Sequence, residues 1–405
     1  MKNIDYLVTE KPTKALIRFA IPMIIGNLFQ QAYTIVDSAI VGRYVGETAL
    51  AAVGASYALT AIFICIAIGG GIGASVIISQ HFGERRYGVM KTAIFTAMTA
   101  FLAISLLLGG VGLCFSRQIM EALNTPADAM EIAVVYLNIY FYGLPFLFMY
   151  NIVSSLFNAL GESRIPLYFL IFSSVLNVAL DLYLVAVRDM GVAGAAYATF
   201  LAQGISAVLS FLVFLRTLRQ FLEKAEHYFS REEFMAMSRI ALPSILQQST
   251  VSIGMMLVQS VVNGFGTQIL AGFSAAMRIE SLCIVPMAAI GNAVSSYTAQ
   301  NIGADKKERV TEGYLRFIGF FFCLIGFKMA VDSLLRGAGD VKAFTIANLV
   351  NLSIRVLLSK YGAPIWGVAM VWYAVPIGWL ANFVISFCHY RTGKWKKRRD
   401  VQPSC

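Results

Sequence analysis

Apolar stretches of about 20 residues follow one another through most of this 405-residue chain. An α-helix of that length crosses a hydrocarbon layer of about 30 Å, and inside lipid only helices and closed barrels satisfy their own backbone. The composition agrees. Only 13% of residues are charged, where soluble domains carry about a quarter. The expected class is all-α: a polytopic membrane protein. Its spans fall near 15–40, 50–80, 92–115, 132–158, 166–187 and 192–216, then 241–264, 268–300, 314–335, 343–360 and 365–390, about eleven in all.

The net charge of +10 would suit a nucleic-acid binder, but its distribution does not. Arg85, Arg86 and Lys91 follow the second span, basic residues fill 216–239, and Lys306, Lys307 and Arg309 follow the eighth. Basic residues gathered in alternate connectors mark the cytoplasmic side. The reading is an inner-membrane, multi-pass protein with a cytoplasmic N-terminus and no nucleic-acid partner. The tail "KWKKRR" (Lys394–Arg399) reads as a topology anchor beside anionic lipid. The first apolar run lacks a cleavable signal pattern and reads as a retained span. The six cysteines show no pairwise spacing and read as small buried hydrophobes. His81, His227 and His389 stand apart near loops without metal spacing, and nothing points to an enzyme or a cofactor.

The chain repeats itself. Pro22 in "FAIPMI" matches Pro243 in "IALPSI", Gly46 matches Gly266, and "SQHFGERR" matches "AQNIGADKK", all at offsets of 220–221. Beyond Thr311 the offset drops: "SSLFNALGESR" matches "DSLLRGAGDVK" at 178, and "GVAGAAYA" matches "GVAMVWYA" at 176. The second copy lacks the counterpart of about 94–135, the third span and the loop after it. The expected organisation is a six-helix lobe at 1–217, a cytoplasmic connector at 218–238, a lobe of about five helices at 239–393 and a basic tail at 394–405. Parallel repeats of six spans build transporters with the substrate cavity between the halves. Five spans in the second copy would put "LLRGAGDVK" and the tail outside, against their charge. Either 314–335 does not cross simply, or the sequence is truncated, misassembled or edited relative to a complete ancestor.

The stretch "IPMIIGNLFQQAYTIVDSAIVGRYVGETALAAVG" resembles the first-span signature of the multidrug and toxic compound extrusion (MATE) transporters. "LFNALGESRIP" and "LLRGAGDVK" resemble that family's paired loop signatures, and "NVALDLYLV" its fifth span. The resemblance covers nearly the whole chain. It implies two six-helix lobes facing a central cavity and efflux of organic, often cationic or amphipathic compounds, driven by Na⁺ or H⁺. The missing span is the departure. Two alternatives stand beside this reading: a transport-inactive remnant, and a lipid-linked oligosaccharide flippase of the same superfamily. The flippase would want a strongly cationic cavity, which the first lobe does not offer.

Asp37 lies in mid-span, where a charge costs about 2.5–3.5 kcal/mol on insertion scales. Asp181 lies in another span, with Asn177 one turn before it on the same face. Two carboxylates and an amide oxygen are hard ligands that suit a small cation such as Na⁺, not tightly bound, or a shared proton. The resemblance places Asp37, Asn177, Asp181 and Thr199 in the family's first-lobe cation site, with Tyr136 a weaker candidate beside them. Second-lobe polar candidates are Gln248, Arg278, Glu280, Lys328, Asp332 and Arg355; Lys328 and Asp332, four apart, could neutralise each other. Arg278 and Glu280, two apart, do not face each other. Pro22, Pro145, Pro243, Pro286 and Pro376 lie within spans and would bend them. "IGGGIGAS" (Ile68–Ser75) reads as a close-packing surface. The expected partners are small organic substrates and the bilayer, with the chain acting as a monomer.

Overall fold

A computed structural model describes residues 5–45, 47–123, 125, 127–263, 267–318, 331–335, 338, 341–362, 365 and 369–393. The apolar runs become long helices: α1 (Tyr6–Thr9), α2 (Pro12–Tyr44), α3 (Glu47–Gly83), α4 (Tyr87–Ala122), α5 (Ala127–Ala159), α6 (Arg164–Asp181) and α7 (Gly191–Leu218). The second half gives α8 (Arg231–Asn263), α9 (Thr267–Gly303), α10 (Lys307–Ile318), α11 (331–335), α12 (Val341–Leu357) and α13 (Ala369–Arg391). The described residues contain no strand. Among them, six helices are long and apolar enough to cross a membrane, all in the first half. All five mid-span prolines sit inside helices. The connector is shorter than its charge suggests, because residues 231–238 already form the first turns of α8.

The sequence repeat is a repeat of structure. Helices α2 and α8 both have 33 residues, and α3 and α9 both have 37. Helix α6 runs into a π-helical segment at Leu182–Val187, and α12 runs into another at Leu358–Gly362, 176 residues on. The first lobe packs α3, α4, α5 and α7 around Phe101, Phe141, Phe148, Phe157 and Phe214, with Phe157 and Phe214 edge to face at 5.1 Å.

The two ends of the shortened part of the second lobe pack together. Val310 at the start of α10 and Val331, Leu334 and Leu335 of α11 belong to one buried cluster with Val76, Ile240 and Ala299. Both flanks of 311–330 therefore lie at the same face of the bundle. By the repeat alignment the second copy lacks the counterpart of about 94–135, which takes in most of α4 and the first turns of α5. The span expected near 314–335, the third of this lobe, is helical at 314–318 and 331–335; residues 319–330 lie outside the described residues.

The lobes meet along α3. A Cβ on Gly69 or Gly73 would come closer than 3 Å to the backbone of α8, at Ile245 and Met237. On Gly70 it would strike the Phe101 ring, and on Gly71 Ser155. The glycine run lets three helices approach one stretch of α3. At its end Gly83 lies against the carbonyl of Gln300, and Gly303 against the carbonyl of Gln80, a crossing of α3 and α9 that obeys the repeat. The helix ends and loops at this face carry Arg85, Arg86, Lys306, Lys307 and Arg309, and it is called the basic face below.

Candidate functional site

Three helices of the first lobe converge on Asn177. Its side-chain amide lies 2.8 Å from the Tyr33 hydroxyl of α2, 2.8 Å from Asp181 Oδ2 and 3.2 Å from Thr199 Oγ1 of α7. The orientation that satisfies all three turns Nδ2 toward Tyr33 and Asp181 and Oδ1 toward Thr199. Asn177 and Asp181 are buried. The helical spacing explains the grouping: Tyr33 and Asp37 are one turn apart on α2, as are Asn177 and Asp181 on α6.

Asp37 and Asp181 lie within hydrogen-bond reach of each other across the α2–α6 interface. Two carboxyl groups that close cannot both stay charged without a proton or a cation between them. Asp181 Oδ1 is buried with no hydrogen-bond donor. A buried carboxylate oxygen left so is costly, and it is what a small cation or a proton would satisfy. Tyr136 of α5 is close enough for its hydroxyl to feel the Asp37 charge. It also lines a narrow cleft of about 20 Å³ with Tyr140, Thr199, Phe200 and Gln203. The backbone of α6 widens into its π segment directly after Asp181, and such single-turn widenings gather at functional positions.

The structure thus brings together Asp37, Asn177, Asp181, Thr199 and Tyr136. It adds Tyr33, which sequence reasoning missed. The signal was available, since Tyr33 stands one turn before Asp37, but an aromatic residue in an apolar run does not announce its hydroxyl.

Of the second-lobe candidates, the described side chains are Gln248, Asp332 and Arg355. Gln248 is half-buried on α8. Arg355 reaches across to α8 and donates to Met255 Sδ at 3.4 Å. Asp332 is buried and accepts from Ser386 at 2.6 Å and Asn348 at 3.4 Å. Lys328 and the side chains of Arg278 and Glu280 lie outside the described residues, and so does the expected Lys328–Asp332 pair. His81 is not isolated: its ring lies 3.1 Å from Glu233 of α8 and 3.7 Å from Glu84, joining the lobes at the basic face.

Two helical lobes repeated in the same orientation, long apolar helices and a buried acid–amide cluster within one lobe define a multi-pass membrane transporter of the two-lobed kind. The MatE family model matches residues 22–183 and 243–313, and the chain belongs to that family. It is 29% identical to "Probable multidrug resistance protein YpnP" of Bacillus subtilis (strain 168), over 95% of this chain and 96% of that protein. That alignment spans 427 positions, more than this chain has residues, so the relative carries segments with no partner here. "Probable multidrug resistance protein YoeA" of the same organism is 30% identical over 76% of this chain and 69% of its own length. The fold matches that of "Crystal structure of MATE in complex with MaL6" with a TM-score of 0.90 at 23% identity, over 97% of this chain and 98% of that one.

Proposed function

We propose that this protein expels organic small molecules, often cationic or amphipathic, across the inner membrane in exchange for Na⁺ or H⁺. The named relatives support the efflux half of this reading. The observation that carries the coupling half is the approach of Asp37 to Asp181 beside Asn177, Tyr33 and Thr199. A cation or proton held there offsets one of the two charges, removes the repulsion within the pair and lets α2 pack on α6; its loss leaves two like charges that push the helices apart. Binding thereby biases which side of the inter-lobe space is open. The basic face is the cytoplasmic one in this reading, which places the N-terminus in the cytoplasm.

The test is efflux of a cationic dye from vesicles under an imposed Na⁺ or H⁺ gradient. Asp37→Asn and Asp181→Asn should each abolish gradient-driven efflux while the protein still reaches the membrane. Normal transport in either variant would defeat the assignment.

A further inference from the structure

Residues 5–10 precede the first long helix and belong by sequence to the first lobe, yet they are bound to both lobes. Leu7 is fully buried and Tyr6 nearly so, in a cluster with Leu16 and Phe19 of α2 and Ile290, Ala293, Val294 and Tyr297 of α9. On the first-lobe side, the Tyr6 hydroxyl donates to Gly161 O at 2.8 Å, between α5 and α6. Arg85 lies 3.5 Å from Asp5. Burial pushes the Tyr6 pKa above its ordinary value, so the hydroxyl remains a donor.

On the second-lobe side, the backbone carbonyls of this segment take charged and amide donors. Asn301 donates to Leu7 O at 3.0 Å, Lys306 to Val8 O at 3.2 Å and Arg309 to Glu10 O at 2.5 Å. Arg309 also donates to Asn301 Oδ1 at 3.0 Å, which fixes both donors. The segment therefore lies over the Gly83–Gly303 crossing. Close beneath it, Gln300 of the second lobe donates to Ala159 O of the first at 2.7 Å.

The inter-lobe connector repeats this arrangement with the lobes exchanged. The offset of 220 sets Leu7 on His227. The connector leads into the second lobe but lies on α4 of the first: the amides of Glu226 and His227 donate to Thr92 Oγ1 at 3.0 and 3.1 Å. Ser230 N donates to Thr96 Oγ1 at 3.0 Å, and Gly88 N donates to Glu223 at 2.6 Å. Each lobe is thus strapped by the segment that leads into the other.

We infer that residues 5–10 are a releasable strap that holds the lobes together at the basic face and sets how often that face opens. The lobes cannot part there while Leu7 stays in its pocket and its carbonyls stay bound to Asn301 and Arg309. The inference stands whether or not the acid pair couples transport to an ion.

The test is hydrogen–deuterium exchange on the full-length protein in lipid nanodiscs, with Leu7→Asp and Arg309→Gln. Arg309→Gln removes donors without touching the apolar cluster, so it reports even if Leu7→Asp fails to fold. Loss of those donors should speed exchange at 79–84 and 298–304 by about tenfold, with residues 144–157 in the first-lobe core unchanged. The inference is overturned if residues 5–10 become freely exchanging while 79–84 and 298–304 keep their protection.

Discussion

The two lobes share a chain trace and differ in what they bury. In the first, α2 and α6 bring together a tyrosine, an amide and two carboxyl groups. By the repeat offsets, Asp37 falls opposite Leu257–Val258, Asp181 opposite Leu357–Ser359 and Thr199 opposite Val375. The second lobe keeps the π-helical widening in the same place but no acid beside it. Asp332, a buried carboxylate among its described residues, accepts from Ser386 and Asn348 on other helices. The lesson is that duplication preserved the scaffold, down to a local irregularity of the backbone, while the acids of the first-lobe cluster have no acid at the matching places.

The largest expected effect tests that asymmetry directly. Asp181→Asn should bring gradient-driven dye efflux to background, whereas Leu358→Asn at the matching place should leave most of it; equal losses would erase the distinction between the lobes. Next in size is the shared crossing. Gly83→Leu and Gly303→Leu each force a side chain into the other helix's backbone, and overpacking of this kind costs about 1–3 kcal/mol or more. Both should lower the thermal midpoint in detergent by similar amounts, since the contact is symmetric; one tolerated and one lethal substitution would show that it is not.

Asn177→Ala should weaken the apparent affinity for the coupling ion by about tenfold, because it leaves Asp181 Oδ2 and the Tyr33 hydroxyl without their buried partner. Titrating transport against ion concentration measures this. Asn348→Ala beside Asp332 should leave that affinity in place. The smallest effect belongs to the connector: Thr92→Ala removes the acceptor of two backbone amides and should cost about 1 kcal/mol of stability, read as a shift of a few degrees in melting, with transport retained.

Much of the fold was legible because lipid imposes a strong rule on sequence. The apolar runs, the repeat offsets and the glycine run each predicted a feature that the helices show. Asp37 and Asp181 could be singled out because a carboxylate in a span is rare. Tyr33 could not, since its hydroxyl matters only once α6 is laid beside it. The two straps were equally hidden, as their hydrogen bonds use backbone atoms that no side-chain pattern announces. The gap in the repeat is not a clean span: it straddles a turn, taking most of α4 and the first turns of α5. Parity of direction, unlike span number, is set by where the flanks pack, and only Val310 beside α11 reveals it.

The meeting of Gly83 and Gly303 has a mechanical corollary. Peptide groups that touch without intervening side chains have no slack to take up, since rotamers are what let an interface yield by degrees. Such a joint is shut or parted with little in between, so the passage from one state to the other should resemble a latch snapping more than a hinge easing open.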